Sequence, residues 1–356
     1  MAATNNPLAG PAAPAPAVSM TTLLVAGLLV DVYGLDELQP SATAVTCLWL
    51  HHPRLRRKED MAAIANETVS AFHGLATSSA SATPTTRGLI AVAFDQRNHG
   101  SRLVHDIGNQ AWRQGNPRHA QDMFTTVSGT VSDTVHLMDV LEAYLFGAGD
   151  GPGLSPEAPS RRIDSHMVLG VSLGGHSAWQ LLFADPRVTA GVVVIGCPDY
   201  MNMVQDRARL SKLETFTVDG GFIGSKDFPQ ALVAACEKYD PKAILFGTGP
   251  IVRRPTSSEQ DRLRPILDSR VAGKRFQILS GGDDKLVPYH TGAKFLEFLR
   301  VATDGWYQEG NVHVEDQVFP GVGHEFNQDM HQAAVRFILD TVNALDGSDR
   351  ATSSKI

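Results

Sequence analysis

Residues 167–175 read Met167-Val168-Leu169-Gly170-Val171-Ser172-Leu173-Gly174-Gly175, and the reading of this stretch decides the fold. A short apolar run ends in a Gly-x-Ser-x-Gly turn, and the residues from Leu173 to about Phe183 then have helical character. A serine on a tight strand-to-helix turn has a strained backbone and an exposed hydroxyl. Glycine is needed on both sides because a Cβ there would collide with neighbouring backbone. The first amides of the following helix favour developing negative charge. The plainer alternative is a glycine-rich turn that only packs a helix on a sheet, so the partners of Ser172 have to decide.

Outward from this turn, short apolar or β-branched runs end repeatedly in Gly, Asp, Asn or Pro. The strand candidates are Leu23 to Tyr33, Ala44 to Leu50, Leu89 to Phe94, Met167 to Leu169, Gly191 to Ile195, Arg275 to Leu279 and Val312 to Phe319. Several are continuously apolar, as strands buried on both faces are. Between them, Val131, Val135, Met138, Leu141 and Leu145 share one helical face, with further helices expected over Thr291 to Arg300 and Gln332 to Leu345. The alternation predicts an α/β fold: a mostly parallel central sheet with helices on both faces. Residues 101–127 form a long connection. Residues 200–272 hold two or three helical segments, such as Phe228 to Lys238, and read as an inserted helical cap. The core is then 22–199 plus 273–346, with a disordered tail over 1–21, a flexible tail over 347–356 and a surface loop from Gly147 to Pro159.

A serine hydroxyl is a poor nucleophile until a histidine removes its proton, and that imidazole needs a carboxylate to fix its tautomer. Two later strands end in suitable turns: Ser280-Gly281-Gly282-Asp283-Asp284-Lys285-Leu286-Val287-Pro288, and Pro320-Gly321-Val322-Gly323-His324-Glu325. The chain order is Ser, Asp, His, each at the C-terminal end of its own strand.

At these residues the sequence resembles the α/β-hydrolase superfamily, over roughly Ala44 to Leu345. The resemblance implies Ser172 as nucleophile and His324 as base. It implies Asp284 as the acid, three places before Val287, with Asp283 as runner-up. It also implies a carboxylic ester or related acyl substrate, no cofactor and no metal. The oxyanion hole would use the backbone NH of Leu173 and a second donor after an early strand. Relatives commonly have His-Gly there, whereas this chain has His51-His52-Pro53-Arg54. Proline carries no NH, so the second donor shifts to His52, to Arg54 or to a side chain. His51 reads as a structural residue. Asp95-Gln96-Arg97-Asn98-His99-Gly100 is similar to the D-x-R-G-x-G turn of such relatives, with Asn98 replacing glycine, and reads as structural. Trp112, Phe124 and Tyr200, with Met201, Met203 and Phe222, are the candidates for shaping a substrate pocket.

The 356 residues are 43% hydrophobic and 19% charged, which excludes disorder of the whole chain. Asp plus Glu outnumber Lys plus Arg by 38 to 31, so the net charge is −7 and a general nucleic-acid binder is disfavoured. The longest apolar run, Leu23 to Val30, is far short of the roughly 20 residues that span a bilayer, and no basic segment precedes it. Three widely spaced cysteines argue against a disulfide framework. A cytoplasmic protein acting on a small-molecule acyl substrate is the expectation, with oligomeric state open. No HExxH or Walker A spacing is present. The competing class is a catalytically silent protein of the same fold that binds a ligand or partner.

Overall fold

The computed structural model describes residues 6–8, 15–78, 86–147, 161–217 and 221–353. Eight strands form one sheet in the order β1-β2-β4-β3-β5-β6-β7-β8. They are β1 (Met20–Val25), β2 (Leu28–Tyr33), β3 (Ala44–His51), β4 (Arg87–Phe94), β5 (Arg162–Val171), β6 (Val188–Val194), β7 (Arg275–Gly281) and β8 (His313–Phe319). β1 and β2 pair antiparallel, as do β2 and β4, and every other pairing is parallel.

The helices are α1 (Ala62–Ser78), α2 (His119–Phe146), α3 (Leu173–Ala184), α4 (Tyr200–Ser211), α5 (Gln230–Tyr239), α6 (Pro241–Phe246), α7 (Ser257–Arg270), α8 (Ala293–Val301) and α9 (Gln328–Ser353). Successive side chains of a strand point to opposite faces, and β3 shows what that does here. Its Val45, Cys47 and Trp49 pack with Leu141 of α2, Leu182 of α3 and Phe295 of α8. Its Leu48 and Leu50 pack with Val69 of α1 and Ile338 of α9 on the other face. Helices thus cover both faces of a mostly parallel sheet, as the alternation predicted. Between β6 and β7 the chain runs through α4 to α7.

Several boundaries differ from the sequence reading. Leu23 to Tyr33 is two strands, because Ala26 (φ 48°) and Gly27 (φ 86°) make a tight hairpin turn between them. The expected disordered tail over 1–21 is corrected in its described part. Met20 and Thr21 lie in β1, the Ser19 hydroxyl donates to Glu37 (2.6 Å), and the Pro7 carbonyl accepts from the Phe326 NH (2.7 Å). Residues 1–5 and 9–14 lie outside the described residues, as do 148–160 of the expected surface loop. Of the expected flexible tail over 347–356, residues up to Ser353 belong to α9 and 354–356 lie outside the described residues. The 101–127 connection is shorter than expected, since α2 already begins at His119 and three 3-10 turns precede it. No described helix is long and apolar enough to cross a membrane.

Candidate active site

The turn at Ser172 is built by close approach of backbone. Ser172 itself adopts φ 57°, ψ −110°, a strained conformation for a residue with a Cβ. A Cβ on Gly170 would strike the Gly174 carbonyl, one on Gly174 would strike the His51 carbonyl, and one on Gly175 would lie 2.8 Å from the Val194 carbonyl. The glycines therefore seat the first turn of α3 directly on the ends of β3 and β6. The Ser172 NH donates to the Val194 carbonyl at 2.9 Å, which fixes the serine at the rim of the sheet.

The turns after β7 and β8 meet it there. Ser172 Oγ lies 2.9 Å from His324 Nε2, and His324 Nδ1 lies 2.8 Å from Asp284 Oδ2. The other carboxylate oxygen of Asp284 accepts from the NH groups of Leu286 (2.7 Å) and Val287 (2.9 Å). The Asp284 side chain is fully buried and that of His324 is 13% exposed. Burial alone would raise the Asp284 pKa, but the hydrogen bond from His324 and the two backbone donors outweigh it and hold the carboxyl below its usual range. Asp283 is exposed and does not bond His324. The two turns are also bonded to each other. The Gly282 NH donates to the Phe319 carbonyl (2.8 Å) and the Asp283 NH to the Val322 carbonyl (2.9 Å).

His52 sits where β3 ends. Its Nε2 accepts from the Gln96 NH (3.0 Å), so Nδ1 carries the proton and donates to the Pro53 carbonyl (2.8 Å). His51 Nε2 bonds the Thr134 hydroxyl (3.0 Å) inside the core. In the Asp95 turn, the carboxylate accepts from the Lys58 NH, the Ser101 NH and the Ser101 hydroxyl. Asn98 takes φ 60°, and its amide bonds Val104, His105 and Asn109, pinning the segment that follows. Asparagine tolerates this left-handed conformation better than most residues with a Cβ.

Arg54, Gly108, Asn109, His119, Met123 and Leu173 are among the residues lining a narrow cleft next to Ser172, with room for about 10 Å³. That is roughly one water. None of the pocket candidates from the sequence lines this cleft. Phe124 and Tyr200 are buried against each other, with ring centroids 5.0 Å apart, and the Tyr200 hydroxyl donates to the Ala120 carbonyl. Met201, Met203 and Phe222 are buried in the same cluster. Half-buried Trp112 packs on His119 and lines a separate open cavity of about 400 Å³. Aromatic and sulfur side chains fill the core here because the apolar surface of α4 and α5 has to be covered. The sequence reading did not single out His119 or Arg207, whose positions depend on how α2 and α4 pack.

Burial keeps several imidazoles neutral. It lowers the pKa of His51 and His176 to about 3 and of His52 and His166 to about 4. In the unfolded chain these groups bind protons below about pH 6.5, so the unfolded state binds more protons and stability falls as pH drops from 6.5 towards 4. Each imidazole costs about 1.4 kcal/mol per pH unit in that window. Urea titrations are expected to show a clearly lower midpoint at pH 5 than at pH 7.5. Equal midpoints would mean that these histidines are not buried neutral. The three cysteines are buried, and burial pushes the Cys197 thiol up to about 12.

No protein-family model and no curated protein matches the sequence. Among solved structures, TT1662 from Thermus thermophilus superposes with a TM-score of 0.54 at 19% identity, over 91% of this chain and 98% of that one. Dipeptidyl peptidase 4 of Porphyromonas gingivalis gives 0.48 at 12% identity over 91% of this chain. This chain spans only 35% of that peptidase's length. An esterase/lipase from an uncultured bacterium gives 0.43 at 12% identity, over 94% and 88% of the two chains. Similarity at these identities concerns the arrangement of strands and helices.

Proposed function

On a chain that has the α/β-hydrolase fold, we propose a serine hydrolase that cleaves a carboxylic ester or related acyl bond through an acyl-enzyme on Ser172. The observation that carries the reading is the unbroken relay from Ser172 Oγ to His324 Nε2 (2.9 Å) and from His324 Nδ1 to Asp284 (2.8 Å). The relay spans three turns that are remote in sequence, and its acid is already held by two backbone amides.

In this reading Ser172 attacks the carbonyl while His324 Nε2 takes its proton. Asp284 keeps the Nδ1 proton in place and offsets the imidazolium charge. His324 then returns the proton to the leaving group, and a water activated the same way releases the acid. The oxyanion forms beside the Leu173 NH at the start of α3, where the helix dipole also favours it. The second donor is assigned to the His52 backbone. Close packing of Gly174 on His51 brings this strand end beside Leu173, and the bonds of the His52 ring to Gln96 and Pro53 fix its orientation. Pro53 has no NH to offer. Residues 200–272 serve as the cap over this rim, and residues 100–118 as the facing wall.

A fluorophosphonate probe separates this reading from that of a silent ligand- or partner-binding protein. The wild type is expected to be labelled on Ser172, and Ser172→Ala is expected to take no label. A folded wild type that stays unlabelled would favour the binding protein. p-Nitrophenyl esters of rising chain length then rank the acyl preference.

A further inference from the structure

Two arginines beside the nucleophile have no carboxylate partner among the described residues. Arg54 follows the end of β3, lines the cleft next to Leu173 and donates only to the Asn109 carbonyl (3.2 Å). Arg207, on α4, donates to the Leu286 carbonyl (3.1 Å) in the turn that carries Asp284, and to the sulfur of Met123 (3.0 Å), another cleft residue. Its Nε is buried without a partner. The nearby carboxylates are engaged elsewhere. Asp206 pairs with Arg209 (2.6 Å), Asp122 accepts from Asn116 (3.1 Å), and Asp284 is held by His324 and two amides.

Both side chains are half-buried, so each is partly desolvated yet reachable. Burial lowers the pKa of Arg54 to about 10, and the neighbouring Arg207 charge adds to this. Burial, and then the charges of Arg207 and Arg54, hold the His119 imidazole well below its ordinary value. A partly buried cation without a counter-ion is costly. Arg54 in the cleft wall and Arg207 behind Met123, close enough for their charges to act on each other, amount to an unmatched positive site. A guanidinium presents a planar fork of donors that suits a carboxylate. Other arginines in this chain are used that way, as Arg87 is on Asp164 and Arg187 on Asp185.

We infer that the cleft beside Leu173 receives a carboxylate carried by the substrate, bound between Arg54 and Arg207, so that the preferred esters are acidic ones. This rests on the serine-hydrolase reading above. Arg54 is tethered to the 100–118 wall and Arg207 to the turn of Asp284, so an anion bridging them would draw those two walls together over the acyl group.

The test uses the full chain and two matched pairs of esters. One pair places the charge on the acyl side, p-nitrophenyl hexanoate against the p-nitrophenyl monoester of adipate. The other places it on the leaving group, phenyl butyrate against 4-carboxyphenyl butyrate. Active sites are counted in every preparation with a neutral fluorophosphonate, and folding is checked by thermal melting. In one pair, kcat/KM per active site is expected to favour the charged ester at least tenfold. Arg54→Met and Arg207→Met should each reduce that ratio tenfold or more, and Arg54→Lys should keep part of it. A labelled wild type with no preference in either pair overturns the inference, as does a preference that survives both methionine variants. A wild type that takes no label fails the earlier reading, and this one with it.

Discussion

Ser172→Ala, His324→Ala and the protein carrying both changes are expected to lose ester turnover to nearly the same extent, on the order of 10⁶ in kcat, because residues that act as one unit are strongly non-additive. Each single change breaks the 2.9 Å bond from Ser172 Oγ to His324 Nε2. Without the imidazole the hydroxyl keeps its proton, and without the hydroxyl the imidazole has nothing to activate. Removing the second partner then costs little more. The residual rate would come from the Leu173 amide, the helix start and substrate binding. Steady-state kcat on a p-nitrophenyl ester, with circular dichroism to show that all three variants fold, reads the result. Losses that add on a logarithmic scale would mean that the two side chains work independently and that the relay is not the machinery.

Asp284→Asn is expected to lower kcat by roughly 10⁴ while leaving the fold in place. The size follows from which atom the surrounding backbone demands. The amides of Leu286 and Val287 both point at Oδ1, so they hold an oxygen there and force the new NH₂ to face His324 Nδ1. An imidazole facing a donor at Nδ1 must carry its proton on Nε2, and it can then accept nothing from Ser172. The neighbouring Asp283→Asn changes an exposed side chain that does not bond His324 and should leave kcat within a few-fold of wild type. An Asp284→Asn enzyme of near-normal rate, or an Asp283→Asn enzyme as impaired as expected for position 284, would remove Asp284 from the assignment.

How much was legible beforehand depends on how local the signal was. The turn at Ser172 could be read because its requirement is steric: Gly170 and Gly174 stand where a Cβ would meet backbone. The histidine turn and the acid turn were readable for a similar reason, since each follows a strand and is punctuated by glycine. Asp284 and Asp283 were separated in the sequence only by resemblance, whereas in the structure burial and two amides separate them. The hairpin between β1 and β2 was missed because Ala26 sits at positive φ inside an unbroken apolar run. The helical start of α2 was hidden by the polar residues His119, Gln121 and Asp122. The burial of two of the aromatic candidates has a general reason. A sequence shows that Phe124 and Tyr200 are large and apolar, but which side of a helix faces a cleft is set by packing between α2, α4 and α5. The same dependence concealed Arg207 and the charge of Arg54, which the sequence offered only as a backbone donor.

The bonds that join the turn of Asp284 to the turn of His324, Gly282 to Phe319 and Asp283 to Val322, have a mechanical consequence. They fasten His324 and Asp284 to one stiff bracket continuous with β7 and β8, while Ser172 is bolted to β6 through Val194. On the proposed reading, such a chassis keeps the proton route aligned while cargo enters and leaves. The compliance needed to admit it must then reside in the opposite jaw, the short turns before α2 and the helix that bears Arg207.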